Sequence, residues 1–295
     1  MTPTHVVAAA TASTAQKHGD RLIGGILIDA GRLSIQNAER ILHLQREQGL
    51  LFGDAGIKLG LLTDADVQFA LSRQFNYPCL VRGESKVSED VIAAYTHSGS
   101  QLEALRAVRS QLLLRWFDNN PAHRALAIIS GERGEGRSYL AANLAVAFSQ
   151  LGQHTLLIDA DMRNPSQHKL FGLDYDSGLS EALSNRGGGL TVKHIPGLPD
   201  LWVVPAGARP PNPLELLAQP QFPHLLGELK QRFAVILLDT PAASEYADAQ
   251  SLAVRAGAAL IVVRRNTTRM WKVRGVSESV VQTNAAVVGT VLNDF

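Results

Sequence analysis

The chain has 295 residues, 45% of them hydrophobic, which allows one full hydrophobic core and a small companion domain. Its 28 basic and 27 acidic residues leave a formal net charge of +1, so no whole-protein field attracts nucleic acid, and we expect no nucleic-acid partner. The single cysteine, Cys79, excludes an internal disulfide and a cysteine-based zinc cluster, and the nine histidines lack metal-ligand spacing.

Residues 1–20 are predicted to form a disordered tail. The stretch is rich in Ala and Thr, and no basic residue precedes its short apolar run, so it fits neither a signal peptide nor a transit peptide. No apolar run of the chain approaches the roughly 20 residues that cross a bilayer. The sequence therefore predicts a cytoplasmic protein, and any link to a membrane must come through a partner.

Residues 21–80 contain two copies of one pattern, offset by 29 positions. Gly31-Arg-Leu-Ser34 returns as Gly60-Leu-Leu-Thr63. Ser34 and Thr63 each precede an apolar pattern at helical spacing and are suited to cap a helix. Each copy is thus a short helix or turn, a loop and a second helix, and we expect the two apolar stripes to cover each other in a small helical domain.

The repeats resemble the N-terminal module of type II secretion and pilus ATPases, some of which bind cyclic di-GMP. The matching positions are Gly24, Gly31, Gln45, Gly53, Gly60 and Gln74. The Arg of that motif is Leu22 in the first copy and Leu51 in the second, which removes the guanidinium expected to contact guanine or phosphate. This difference argues against cyclic di-GMP binding and favours a protein-docking or structural module.

A polar segment with several glycines and serines (81–100) is predicted to be a linker into the second domain, residues 101–295. In that domain, strand-length apolar runs alternate with helical segments. The predicted strands are Ala125–Ser130, His154–Asp159, Leu201–Pro205, Ala234–Asp239, Ala258–Arg264 and Ala286–Leu292. The alternation predicts an α/β fold with a mostly parallel, doubly wound sheet, whose ligands collect at the carboxyl ends of the strands.

The segment 131–138, Gly-Glu-Arg-Gly-Glu-Gly-Arg-Ser, fits the phosphate-binding pattern G-x-x-x-x-G-K-[ST] except that Arg137 replaces the Lys. Its glycines let the backbone wrap around phosphate, and Ser138 supplies the hydroxyl expected on Mg²⁺. The predicted nucleotide contacts here are Gly131, Glu132, Arg133, Gly134, Glu135, Gly136, Arg137, Ser138 and Tyr139. A planar Arg fork cannot occupy the point that a Lys ammonium fills between β- and γ-phosphates, so binding and phosphoryl transfer are separate questions.

Three carboxylates follow two further predicted strands. Asp159 and Asp161, at i and i+2 in an extended run, point to the same side. One can join the Mg²⁺ shell and the other can accept a proton from an attacking hydroxyl; the alternative is an Asp pair that only caps the next helix. The apolar run that ends at Asp239 is typical of a Walker B strand, whose Asp holds the water shell of the metal. Together with the loop, these residues predict a site for a nucleotide and Mg²⁺.

Four separated motifs resemble those of the bacterial tyrosine kinases, and of the exopolysaccharide chain-length-determinant group in particular. They are Glu103-Ala-Leu-Arg106-Ala-Val-Arg109, the run from Leu156 to Pro165, Pro211-Asn212-Pro213-Leu-Glu-Leu, and Val288-Gly-Thr-Val-Leu-Asn293. The resemblance implies a P-loop NTPase fold of the MinD/ParA type, ATP and Mg²⁺ as cofactors, protein tyrosine as substrate, and a membrane-embedded polysaccharide co-polymerase as partner.

The resemblance also implies roles for individual residues. The catalytic residues are Arg137, Asp159, Asp161 and Asp239. The metal ligands are Ser138, Asp159 and Asp239. Asn293 approaches the base of the nucleotide. Members of the family assemble into rings, and the residues that would form the subunit contacts of such a homo-oligomer are Glu103, Arg106 and Arg109.

Two departures from the family pattern leave alternatives open. The first is Arg137, and the second is that no tyrosine follows Tyr246, whereas the family usually ends in a flexible tyrosine cluster. A regulatory module that binds ATP, assembles and gates the co-polymerase without transferring phosphate is therefore the alternative to a kinase. A partition-type ATPase is a further alternative, weakened because Glu132 stands where those proteins carry a signature Lys.

Overall fold

The computed structural model describes residues 22–74, 77–118, 120–175, 177–184 and 189–294. The chain divides into two compact units, Met1–Cys79 and Leu80–Phe295. The predicted disordered tail, 1–20, lies outside the described residues. Among the helices that the structure describes, none has both the length and the apolar character needed to cross a bilayer.

The first unit contains four helices that repeat in pairs. They are α1 (Ile23–Asp29), α2 (Ile35–Gln48), α3 (Phe52–Lys58) and α4 (Asp64–Gln74). The starts of α3 and α4 follow those of α1 and α2 by the same offset (52 − 23 = 64 − 35 = 29). Helix α1 packs against α4 and α2 against α3, so each copy covers the apolar stripe of the other.

A hydroxyl side chain caps the start of the second helix in each pair. The Ser34 Oγ accepts a hydrogen bond from the Asn37 N–H at 3.2 Å. The Thr63 Oγ1 accepts from the Asp66 N–H at 3.2 Å, and the Asp66 carboxylate accepts in return from the Thr63 N–H at 3.0 Å. The second arrangement is a reciprocal capping box, which satisfies two backbone donors that the helix leaves unpaired.

The repeated glycines of this unit have a packing role. A Cβ at Gly24 would lie 3.0 Å from a ring carbon of Phe52, and a Cβ at Gly53 would lie 2.9 Å from a methyl carbon of Val67. Both glycines therefore permit a close approach between helices, which explains them without any ligand.

The second unit is built from alternating strands and helices. In chain order they are α5 (Ile92–Tyr95), α6 (Ser100–Arg115), a short 3-10 helix (Pro121–Arg124), β1 (Ala125–Ser130), α7 (Arg137–Ser149), β2 (Thr155–Asp159), α8 (Gln167–Leu170), α9 (Leu179–Leu183), β3 (Lys193–His194), β4 (Leu201–Val204), α10 (Pro213–Ala218), α11 (Gln221–Arg232), β5 (Val235–Asp239), α12 (Asp248–Ala256), β6 (Ala258–Arg264), α13 (Met270–Gln282) and β7 (Ala286–Asn293).

The strands form one seven-stranded sheet in the order β3-β4-β2-β5-β1-β6-β7. Every pairing is parallel except that of β3 with β4. The predicted α/β fold with a mostly parallel sheet is thus confirmed. The sequence missed β3, because two residues are too short to show a strand pattern.

Helices cover both faces of the sheet, and β1 shows how its residues divide between the two cores. Leu126 and Ile128 belong to the core under α5, α6 and α7. Ala125, Ala127 and Ile129 belong to the core under α9 to α13. The period of two is that of a strand buried on both faces, so β1 is apolar throughout.

The prediction of a linker at 81–100 is wrong. Val91 and Ala93 are fully buried, and helix α5 packs against α7. The Ala93 N–H donates to the Asn143 Oδ1 at 2.9 Å, and its carbonyl accepts from the Gln150 Nε2 at 2.7 Å. The segment looks like a linker in sequence because its one helix has only four residues and the rest of its backbone makes irregular bonds, such as that of the Ser88 N–H to the Leu170 carbonyl.

Candidate nucleotide site

The loop between β1 and α7 has the backbone conformation of an anion cradle. Gly134 and Gly136 have φ values of 74° and 91°, in the left-handed region where a side chain introduces strain. The loop leads into the N-terminus of α7, a helix of 13 residues that begins at Arg137. The unpaired N–H groups and the dipole of such a terminus favour a negative charge.

Glu135 stabilises the loop through hydrogen bonds of its buried side chain and of its backbone carbonyl. Its side chain is almost fully buried, at 1% exposed. One carboxylate oxygen accepts from the Glu132 N–H at 2.9 Å, and the other accepts from the Thr268 hydroxyl. The backbone carbonyl of Glu135 accepts from the Asn293 side-chain amide at 3.1 Å. The segment after β6 and the last residue of β7 are therefore tied directly to the loop.

Arg137 is engaged with its own chain. The residue is 8% exposed. Its Nε donates to the Thr240 carbonyl at 2.9 Å, and its Nη1 donates to the Glu132 carbonyl at 2.7 Å and to the Ser130 hydroxyl. These bonds join the loop to the ends of β1 and β5, and they use the fork geometry that a Lys ammonium lacks.

Asp159 and Asp239 lie side by side at the sheet edge next to this loop. They are register partners at the ends of β2 and β5, and both are fully buried. The Asp159 Oδ2 accepts the N–H groups of Ser166 and Gln167, each at 2.9 Å. The Oδ1 atom of each Asp has no hydrogen-bond partner among the described residues. Two buried acceptor atoms are thus left for a ligand.

Burial favours the protonated form of both carboxyl groups, and nearby carboxylates add to the effect: Asp239 raises the pKa of Asp159, and Asp161 raises that of Asp239. Burial raises the pKa of Asp239 to about 6, against the lowering effect of hydrogen bonds from Gln167 and Ser138 and of the Arg137 charge. Burial and then the charge of Asp239 raise the pKa of Asp159 well above its ordinary value. A pair of buried carboxyls resists double ionisation, and a bound cation would remove that resistance.

Asp161 has a different environment from Asp159. It is 6% exposed, and its Oδ1 accepts the N–H groups of Arg163 at 3.2 Å and Asn164 at 2.9 Å. One oxygen therefore closes the turn after β2, whereas the N–H groups at the start of α8 are bonded by Asp159.

Gln167 is a site residue that sequence reasoning missed. It is fully buried, and its Nε2 donates to the Asp239 Oδ2 at 2.7 Å and to the Ser138 carbonyl at 3.1 Å. The side-chain amide thus connects the phosphate loop to the strand end of β5, and the backbone N–H of the same residue donates to Asp159. Its place two residues after Pro165, at the start of α8, is the only signal in the sequence.

These residues fit Mg²⁺ bound together with a nucleotide. The orphan Oδ1 atoms of Asp159 and Asp239 are the oxygen ligands that Mg²⁺ prefers. Within the described part of the chain, no group of three or more His, Cys, Asp and Glu side chains could hold a metal ion by itself. Mg²⁺ usually takes one or two carboxylates and completes its shell with phosphate and water, so this arrangement agrees with a nucleotide-borne ion.

Tyr139 and Asn293 line one cavity. It has a volume of ≈ 560 Å³ and lies between α6, the start of α7 and the end of β7. Leu105 and Val291 also line it. The two predicted nucleotide contacts that lie outside the loop are thus brought together beside it.

The three residues predicted to form subunit contacts do not share one surface. Glu103 and Arg106 pair with each other at 2.5 Å, with side chains 64% and 24% exposed. Arg109 is 9% exposed, and its Nη1 donates to the Ala147 carbonyl of α7 at 2.8 Å. The Arg109 guanidinium is thus buried against its own subunit, whereas the subunit contact of Glu103 and Arg106 stays a prediction.

A glycine-rich turn from a parallel strand into a helix, with acidic strand ends beside it, defines a P-loop NTPase of the α/β class. The profile of the ParA family, described as NUBPL iron-transfer P-loop NTPase, matches residues 122–187.

Comparison with known proteins identifies the family within the class of P-loop NTPases. YwqD, a tyrosine-protein kinase of Bacillus subtilis, is 30% identical over 209 residues, which cover 71% of this chain and 87% of YwqD. EpsB of Ralstonia solanacearum is 32% identical over 70% of this chain, which spans only 28% of EpsB. The kinase domain of the Escherichia coli tyrosine kinase ETK superposes with a TM-score of 0.67, at 26% identity, over 75% of this chain and 85% of that domain. The chain belongs to the bacterial tyrosine-protein kinase family.

Proposed function

We propose that this chain is a protein tyrosine kinase that uses Mg-ATP and regulates exopolysaccharide chain length or export together with a membrane-embedded co-polymerase. The observation that carries the proposal is the buried Asp159 and Asp239 pair, whose unpartnered oxygens lie at the sheet edge beside the phosphate loop. Membership of the tyrosine-kinase family supports the reaction, and the resemblance to the chain-length-determinant group supports the pathway.

The proposed roles follow from position. The backbone around Gly134 and Gly136 binds the phosphates, with Arg137 holding the loop in shape. Ser138, Asp159 and Asp239 would hold Mg²⁺, which would supply charge neutralisation at the transferred phosphoryl group.

Asp161 is the proposed base. It lies at the same strand end as Asp159 but is the less buried of the two, at 6% exposed. The tyrosine oxygen forms a bond to the γ-phosphorus, the bond from that phosphorus to the β–γ bridging oxygen breaks, and the tyrosine proton passes to Asp161. ADP leaves with the bridging oxygen.

A specific observation favours the second candidate, a regulatory module that binds ATP without transferring phosphate. Each of the three bonds of Arg137 goes to a group of its own chain, so the guanidinium is not presented as a free cation. In this candidate the bound nucleotide changes the assembly of the chain and thereby the co-polymerase.

Native mass spectrometry of the purified chain with Mg-ATP tests both candidates, because one spectrum reports oligomer, nucleotide and covalent phosphate. The chain is measured with and without the cytoplasmic segment of a candidate co-polymerase, and Asp159→Asn is the control. Phosphate on tyrosine, lost in the control, establishes the kinase. Bound ATP without phosphate supports the regulatory module, and no nucleotide in any state contradicts both.

A further inference from the structure

Lys272 is a lysine at a phosphate loop whose other nearby cations are arginines, and nothing in the family resemblance assigns it a role. It lies in the first turn of α13, and its ammonium pairs with the Glu132 carboxylate. Its stem runs along the start of the loop, since a Cβ at Gly131 would lie 3.7 Å from the Lys272 Cβ. The side chains of Lys272 and Glu132 are 25% and 35% exposed, so solvent and a ligand can reach the pair.

The start of α13 is held against the loop at two points. Besides the Lys272 pair, the Thr268 hydroxyl donates to the buried carboxylate of Glu135. The two acidic residues of the loop are thus bonded by Thr268, just before α13, and by Lys272, in its first turn. Lys272 therefore has a fixed base and a flexible end at the phosphate site.

The neighbouring cations are guanidinium groups with partners of their own. The guanidinium of Arg137 bonds to two carbonyls and a hydroxyl. Arg133 lies near Glu245, with 3.9 Å between nitrogen and oxygen, and the Arg264 Nη1 donates to the Gly134 carbonyl of the loop at 3.4 Å. Lys272, in contrast, carries a compact ammonium with three donors on a four-carbon stem.

We infer that Lys272 supplies the phosphate-binding ammonium that the loop lacks at position 137, moving from Glu132 to the β- or γ-phosphate of the nucleotide. The exchange is favourable because a partly exposed ion pair contributes only about 0–1 kcal/mol, whereas a nucleotide phosphate carries more charge and lies on the loop amides. This inference rests on the proposed nucleotide binding.

A double-mutant cycle of Mg-ATP affinity, measured by calorimetry, tests the inference. The variants are Lys272→Met, Glu132→Gln and the combination of both, with Arg274→Ala as the control that removes another cation of α13. We expect Lys272→Met to weaken binding about tenfold or more, the size of a charge-assisted hydrogen bond, and the combined variant to stay equally weak. Arg274→Ala should bind like the unaltered chain.

Each of the other outcomes contradicts either the role of Lys272 or the proposed nucleotide binding. Recovery of affinity in the combined variant would mean that Lys272 only neutralises Glu132, which overturns the inference. Unchanged affinity in Lys272→Met would overturn it too, while leaving the proposed function intact. No binding by the unaltered chain would instead remove the proposed function. Thermal unfolding verifies that each variant is folded, and Lys272→Gln replaces the Met variant if it is not.

Discussion

Arg137 joins three parts of the site through one guanidinium: the loop, the end of β1 and the residue after β5. Replacement by Lys removes at least one of these bonds and restores a compact ammonium. We expect Arg137→Lys to lower the free energy of unfolding of the nucleotide-free chain by about 1–3 kcal/mol, because buried carbonyls lose a donor.

The same substitution is expected to raise the rate of phosphoryl transfer to a tyrosine-containing polymer. The reason is that a Lys ammonium reaches the position between β- and γ-phosphates that the fork cannot occupy. Initial rates of phosphotyrosine formation measure this. A slower rate in Arg137→Lys would mean that the site is adapted to Arg.

The ionised Asp239 carboxylate is expected to favour Mg²⁺ binding but to lower the stability of the ion-free chain. Its folded-state pKa is raised from 3.8 to about 6, so the folded chain binds this proton more tightly than the unfolded chain. The carboxyl therefore lowers stability as the pH rises from about 4 to about 6. We expect Asp239→Asn to raise the melting temperature above that of the unaltered chain at pH 8, with the difference vanishing below pH 4.

Asp239→Asn should also weaken Mg²⁺-dependent nucleotide binding, because the amide is a poorer ligand for the ion than a carboxylate. Scanning calorimetry at the two pH values and titration with Mg-ATP measure both effects. If Mg²⁺-dependent affinity does not change, Asp239 is not part of the site.

At the scale of elements, α7 organises the second unit. Its first turn ends the phosphate loop, and its middle carries Asn143, which is fully buried. The Asn143 amide donates to the carbonyls of Tyr139 at 3.0 Å and Asp90 at 3.3 Å, while its oxygen accepts the Ala93 N–H. Asn143 thus holds the segment that looks like a linker in sequence.

We expect Asn143→Leu to lower the free energy of unfolding by about 1–3 kcal/mol, since it leaves the Ala93 N–H and the Asp90 carbonyl without partners. Chemical denaturation measures the loss. Ser149→Ala is the matched control, because the Ser149 hydroxyl bonds only within its own helix, to the Val146 carbonyl. Equal effects of the two substitutions would contradict a special role for α5 docking.

For the whole molecule, the family resemblance predicts assembly through α6. The three residues of α6 predicted to form subunit contacts have different environments in the structure. Glu103 is exposed and pairs with Arg106, whereas Arg109 is directed inward to α7. We propose that the Glu103 and Arg106 face contributes to self-association. Arg106→Ala should then shift the oligomer toward monomer in light scattering, with an unchanged melting temperature.

Arg109→Ala serves as the comparison in that experiment. It should lower the melting temperature, because it removes the donor to the Ala147 carbonyl. An oligomer unaltered by Arg106→Ala would exclude this face from assembly, whatever Arg109→Ala does.

The sequence predicts most of the strands, the phosphate loop and the acidic residues at the strand ends. Each of these features is marked by a pattern of residues that are adjacent in the chain. The run that ends at Asp239 is apolar because β5 is buried on both faces. Gln167 and Lys272 could not be predicted in the same way. Their partners are Asp239 and Glu132, which lie 72 and 140 positions away, and no local pattern marks such a pair.

The sequence by itself determined the fold class, the loop at 131–138, the Asp ends of β2 and β5, and membership of a kinase family. Only the tertiary structure decided that Asp159 and Asp239 are register partners, that Arg137 bonds to its own chain, and that Arg109 is buried. The physical reason is that local pattern fixes which residues end each strand, whereas strand order and helix docking fix which of those ends meet.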